Sequence, residues 1–133
     1  MLKVEHIGIA VKSLEASNEL FAKILGRAHY KTEMVESEGV KTSFFETGES
    51  KIELLEGIGE QNAISKFIER KGEGIHHIAF EVQDIIKEAE RLKQEGFEII
   101  NDAPKKGADN KLVLFLHPKK TNGVLIELCQ EIK

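Results

Sequence analysis

Residues 74–82 read GIHHIAFEV, and residues 5–11, EHIGIAV, repeat their pattern of His, Ile, small residue, apolar residue, one more residue and Val. Both stretches have the apolar density of buried strands, where an imidazole is tolerated only with a hydrogen-bond partner or a metal. Side chains alternate along a strand. Ile7, Ile9 and Val11 therefore share one face, and His6, Gly8 and Ala10 the other. In the second copy Ile78, Phe80 and Val82 oppose His77, Ala79 and Glu81. The bulky faces are expected to pack on helices, while the small residues beside each His leave room for a ligand. His76 falls on the core side of its strand, so His77 is read as the ligand and His76 as a structural neighbour.

The duplication extends outward from these strands. Ser13 is placed to cap a helix over about 14–25 that stops at Gly26, and Asp84 a helix with apolar Ile85, Ala89 and Leu92 that stops at Gly96. Strands are expected at about 40–47 and 51–56 around Gly48, at 75–82, and near 97–100, 112–116 and 123–128; AISKFIER (63–70) reads as a short connecting helix. KIELL (51–55) in the first half matches LIELC (125–129) in the second. Each half thus offers one His on its first strand and one Glu on its last, and an internal repeat of this kind fixes the architecture.

Composition sets the limits. A chain of 133 residues that is 41% hydrophobic is sized for one domain with a real core. The longest apolar run, LVLFL at 112–116, is too short for a signal-peptide core or a membrane span, so a cytoplasmic protein with no membrane partner is expected. The single Cys129 forms no internal disulfide and excludes a Cys-based zinc cage. A formal charge of −4, spread along the chain, argues against nucleic acid.

His6, Glu53, His77 and Glu127 form the candidate constellation. Glu53 and Glu127 each lie between apolar neighbours, Ile52 and Leu54 or Ile126 and Leu128, and so point away from the packed side. A lone buried carboxylate is unfavourable by several kcal/mol. Two imidazoles and two carboxylates brought together by a pseudo-symmetric repeat instead suit a five- or six-coordinate divalent cation that keeps positions open for water or substrate. His29 is expected to face solvent. His117, in FLHPK, is expected in a loop near the site, either structural or facing substrate.

This pattern resembles the vicinal oxygen chelate superfamily, which includes glyoxalase I, bleomycin resistance proteins, extradiol dioxygenases and methylmalonyl-CoA epimerases, over His6 to Glu127. The resemblance implies an α+β, glyoxalase-like fold: a single domain over 1–133, built from two pseudo-symmetric βαβββ modules (about 1–60 and 72–133) that form a curved sheet centred on a metal. EHIGIAV, GIHHIAFEV and PKKGADNKLVLFLHPKKTNGVLIEL (104–128) are most similar to the methylmalonyl-CoA epimerase branch. By that resemblance His6, Glu53, His77 and Glu127 are the ligands of one divalent ion (Co, Mn, Ni or Zn), although the second position is commonly Gln in epimerases and Glu in glyoxalases. Some epimerases carry a second catalytic Glu where this chain has Thr42; Glu46 shares the parity of Thr42 two positions further on.

The implied reaction is epimerisation of methylmalonyl-CoA by α-proton abstraction and reprotonation through a metal-stabilised enolate, with Glu127 as one proton carrier. Lys119 and His117 are expected to contact substrate, and Lys105, Lys106 and Lys120 flank the same strand. The alternative is glyoxalase I, a lactoylglutathione lyase acting on a glutathione hemithioacetal; a non-catalytic drug-binding protein or an extradiol dioxygenase fits less well. The superfamily also implies a homodimer, in keeping with the sheet edges of a small paired-module fold.

Overall fold

A computed structural model describes all of residues 1–133. The order of elements is β1 (Lys3–Ala10), α1 (Leu14–Leu25), β2 (Lys31–Val35), β3 (Val40–Thr47), β4 (Ser50–Gly57), α2 (Ala63–Lys71), β5 (Gly74–Glu81), α3 (Ile85–Gln94), β6 (Lys105–Lys106), β7 (Lys111–Leu116) and β8 (Ile126–Glu131). This is the expected α+β pattern, βαβββ twice with α2 between. Two compact units result, His6–His76 and a second made of Met1–Glu5 with His77–Lys133.

In the His6–His76 unit the strand order is β2-β3-β4-β1. Strand β1 runs parallel to β4, and β3 is antiparallel to both of its neighbours. Helix α1 begins where the Ser13 hydroxyl accepts from the Ala16 N–H at 3.2 Å. It ends at Gly26, whose φ of 74° is the left-handed conformation that glycine adopts without a Cβ penalty. Its apolar stripe packs on one face of the strands, where Val11, Leu14, Phe45 and Leu54 are joined by Ile9, Phe21 and Leu25. The bulky side of β1 therefore meets a helix, as its parity predicts.

The opposite face is the histidine side, and α2 covers one end of it. Ile64, Phe67 and Ile68 of α2 pack with Ala10, Val40 and Leu55. The helix is set by Asn62, whose side-chain oxygen accepts from the Ser65 N–H at 2.7 Å while its amide donates to the Ile58 and Gly59 carbonyls at 3.2 and 3.1 Å. Gly57 makes this approach possible, because a Cβ there would stand 2.2 Å from the Asn62 oxygen and 2.3 Å from the Ser65 hydroxyl. Gly57→Ala should therefore dislodge the α2 start and destabilise the chain by about 1–3 kcal/mol, the usual range for overpacking. Thermal unfolding measures this; an unchanged midpoint would mean that the Asn62 turn gives way without loss.

In the second unit the order is β5-β8-β7-β6, with β5 parallel to β8 and the other pairings antiparallel. The chain's first residues belong here: the Leu2 N–H donates to the Glu81 carbonyl at 2.8 Å. Helix α3 is capped by Asp84, which accepts from the Lys87 N–H at 3.1 Å, and by Gln130, whose side-chain oxygen takes the Ile85 N–H at 2.7 Å. Ile85, Ala89 and Leu92 are all buried, against Val82, Leu114, Leu116 and Leu128.

Two expectations for this part of the chain shift. The strand expected near 97–100 reduces to a single bridge between Ile99 and Leu116, and the strand paired with β7 on the side away from β8 is the two-residue β6. The strand expected from 123 begins at Ile126, because the Thr121 hydroxyl bonds to the Val124 carbonyl and Gly123, at φ 79°, turns the backbone first. In the other unit β2 is an additional strand. No helix of the protein is long and apolar enough to cross a membrane.

Candidate metal and catalytic site

Register explains why each half brings a His to a Glu. In the first, Gly8 is the parallel partner of Glu53; in the second, Ala79 is the parallel partner of Glu127. The carboxylate residue is thus paired, in both halves, with the residue two positions beyond the His. Parity then puts His and Glu on one face. His6 Nδ1 lies 3.1 Å from Glu53 Oε2, and His77 Nε2 lies 3.1 Å from Glu127 Oε1.

These four residues are nearly removed from water: His6 is 5% exposed, Glu53 4%, His77 6% and Glu127 5%. Cross-strand aromatic residues help to exclude solvent. Phe44 is the antiparallel partner of Glu53, and Phe115 that of Glu127, with the Phe115 ring edge-on to His77 at 6.0 Å. Two buried carboxylates are strongly unfavourable unless their charge is matched. Neutral imidazole nitrogens and carboxylate oxygens are the donor set that first-row divalent ions take, and each pair can supply part of it.

Neighbouring residues are placed as follows. His76 turns away from the His77 side and sets its ring edge-on to Phe67 of α2 at 5.0 Å. His29, expected to face solvent, is instead half-buried, its ring 5.8 Å from that of Phe45. Thr42 is buried on β3. Glu46 is exposed and pairs with Arg27 at 3.5 Å.

The HPK turn holds itself together with the residues expected to meet substrate. His117 Nδ1 accepts from the Lys119 backbone N–H at 3.2 Å, and the His117 backbone N–H donates to the Glu98 carbonyl at 2.8 Å. Lys119 Nζ reaches Glu98 at 2.6 Å and, by that hydrogen bond, holds the exposed Glu98 carboxyl below the usual carboxylate range. Lys120 bonds to the Gly96 carbonyl at 2.9 Å. Lys105 and Lys106 are exposed on β6.

Sequence reasoning passed over two features. Glu5, immediately before His6, is buried although charged. Strand β2 adds Lys31 and Glu33 to the Glu53 side of its unit, since Lys31 pairs with Phe44 and Glu33 with Thr42. Lys31 Nζ stands 4.7 Å from the Phe44 ring centroid and 4.0 Å from Glu33 Oε1. KTEMV at 31–35 has no polar-apolar alternation to mark it as a strand; only its burial alternates, with Lys31, Glu33 and Val35 half-buried.

Comparison with known proteins agrees with this architecture. Residues 5–115 match the family described as the glyoxalase/bleomycin resistance protein/dioxygenase superfamily. The chain is 41% identical to the ethylmalonyl-CoA/methylmalonyl-CoA epimerase of Cereibacter sphaeroides, over 96% of this chain and 97% of that one. It is 36% identical to the human mitochondrial methylmalonyl-CoA epimerase, over 96% of this chain and 73% of that one. Among solved structures, a variant of Streptomyces coelicolor methylmalonyl-CoA epimerase in complex with 2-nitronate-propionyl-CoA superposes with a TM-score of 0.93 at 33% identity, covering 100% of this chain and 99% of that one.

Proposed function

We propose that this chain, which belongs to the glyoxalase/bleomycin resistance protein/dioxygenase superfamily, epimerises methylmalonyl-CoA by moving the α-proton of the thioester. The observation that carries the reading is the paired His and Glu at one register in both halves, His6 with Glu53 and His77 with Glu127. The epimerase relatives, alike over nearly the whole chain, supply the substrate class.

His6, Glu53, His77 and Glu127 would together hold one divalent cation per chain, of the Co, Mn, Ni and Zn group. When bound, such an ion polarises the thioester carbonyl and lowers the energy of the enolate by several kcal/mol. The chain's own groups move the proton. Glu127 is our choice for one carrier at the substrate's α-carbon, its carboxylate held by His77 at 3.1 Å.

Lys119 remains in the proposal as a contact for the polar part of an acyl-CoA. Its side chain is 55% exposed, and an ammonium has three donors, of which the contact with Glu98 uses one. His117 supports it by capping the Lys119 N–H. The superfamily's homodimer belongs to the same proposal.

One feature favours glyoxalase chemistry, the carboxylate at Glu53 where epimerases commonly have an amide. Metal-loaded protein incubated in deuterated water with methylmalonyl-CoA and, separately, with methylglyoxal and glutathione distinguishes the two. We expect α-proton exchange and racemisation of the CoA ester with little lactoylglutathione. Lactoylglutathione without epimerisation would move the chain to glyoxalase I.

A further inference from the structure

On the epimerase reading, the α-carbon of the substrate meets the Glu127 carboxylate, and that carbon carries an alkyl group beside its proton. Such a group rests best on an apolar surface within reach of the same carboxylate. The second unit supplies one. Partners across neighbouring strands share a face, so Ala79 and Phe115 flank Glu127 in one row, and Cys129 lies beside Val113 in the next. Ala79, Val113 and Cys129 form a buried cluster against which Phe115 packs.

Phe115 alone in this cluster keeps an accessible surface. Ala79 and Cys129 are fully buried and Val113 nearly so, whereas Phe115 is half-buried. Gly107 lies against the second row: a Cβ there would stand 3.1 and 3.2 Å from the two Val113 methyl carbons, so the backbone packs directly on that side chain. The apolar surface beyond Phe115 is thereby taken up within the protein. The Phe115 ring is what remains to meet a small alkyl group.

Backbone bonds fix how close the ring comes to Glu127. The Phe115 N–H donates to the Asn101 side-chain oxygen at 3.0 Å, and the Phe115 carbonyl accepts from the Ile100 N–H at 2.8 Å. Both groups therefore point away from β8. In an antiparallel ladder this makes Phe115 and Glu127 a non-hydrogen-bonded pair, the kind whose side chains approach most closely, with Cβ atoms about 4.5–5.5 Å apart. The ring also stands edge-on to His77 at 6.0 Å. It borders both members of the His77–Glu127 pair.

We infer that Phe115 sets the size of the α-alkyl group that the chain accepts, an assignment that rests on the epimerase reading. A methyl group lies on the ring while the α-carbon stays in line with Glu127. A longer alkyl group must push the ring aside or draw the α-carbon away from the carboxylate, and a displaced reacting carbon loses rate as well as binding. The ring cannot yield easily, because Asn101 and Ile100 hold its backbone in place. A shorter side chain at 115 opens room for the longer group and leaves the methyl group less well supported.

The test uses three esters that differ only at the α-carbon. Metal-loaded wild type, Phe115→Leu and Phe115→Ala are incubated in deuterated water with malonyl-CoA, methylmalonyl-CoA and ethylmalonyl-CoA, and α-deuteration above the uncatalysed rate gives kcat/KM for each. Metal content and thermal midpoint are measured on all three proteins. In Phe115→Leu the ethyl-to-methyl ratio of kcat/KM should rise about tenfold or more, the discrimination that one methylene provides in an apolar pocket, and in Phe115→Ala it should rise further. Malonyl-CoA, with no alkyl group to hold, should lose less than methylmalonyl-CoA does. Metal content should stay at the wild-type value, since Phe115 offers no ligand atom. If Phe115→Ala is too unstable to assay, Phe115→Leu, which still packs against His77, carries the test. A ratio in Phe115→Leu within about threefold of wild type overturns the assignment. So does an equal loss with all three esters, which would make the ring only a support for His77. A wild-type protein inert toward methylmalonyl-CoA overturns the epimerase reading itself, and this inference with it.

Discussion

Replacing Glu127 with Gln should lower epimerisation of methylmalonyl-CoA by about 10³-fold or more, because one side chain serves as base and as ligand. Glutamine is nearly isosteric, and its amide oxygen can still bond to the His77 imidazole that meets the carboxylate at 3.1 Å. Folding should therefore change little, whereas the proton acceptor is lost outright. Loss of one negative charge from a residue 5% exposed also weakens cation binding, since little water is available to compensate. Deuterium incorporation at the α-carbon measures the first effect, and metal content after dialysis the second. Exchange of both epimers at more than about a tenth of the wild-type rate would remove Glu127 from proton transfer and leave it only a ligand.

This prediction rests on a register that was legible in the sequence because the signal appears twice. A single His within a strand says little, but HIGIAV and HIAFEV, each followed by a capped helix and later by an apolar-flanked Glu, constrain one another. The structure carries the pattern through: Ser13 and Asp84 both accept the N–H three residues on, and Glu53 and Glu127 both pair with the second residue after the His. Local chemistry of this kind, caps and parity, depends on residues close in sequence.

What sequence reasoning missed depends on tertiary surroundings. Strand β2 places Lys31, Glu33 and Val35 on the half-buried side and leaves Thr32 and Met34 exposed, so its charges point inward. A reading that expects apolar residues inside passes over such a strand. The reason for the inversion lies on β3, where the Phe44 ring receives the Lys31 ammonium. His29 is comparable: it lies in a loop after α1, and only Phe45, distant in sequence, explains why it is half-buried. The HPK motif was visible as a motif, but its ties to Glu98 and Gly96 depend on the turn between α3 and β6.

The adjacent histidines of GIHHIAFEV provide the second large effect. His77→Ala should reduce bound metal from about one ion per chain to a small fraction, with affinity falling by more than the 10–100-fold typical of losing a residue that merely supports a ligand. It also leaves Glu127 buried without its imidazole partner, so the apoprotein should lose a further 1–3 kcal/mol of stability. His76→Ala removes a different contact, the ring edge against Phe67 at 5.0 Å, which helps seat α2 on the histidine side of its unit. It should lower stability by about 1 kcal/mol while retaining the ion, because aromatic pairs contribute about 0.5–1.5 kcal/mol beyond burial. Metal analysis of both proteins, beside their thermal midpoints, separates the two roles. If His76→Ala released the ion and His77→Ala kept it, the parity of β5 would be reversed, and the pairing of Ala79 with Glu127 would lose its bearing on the metal.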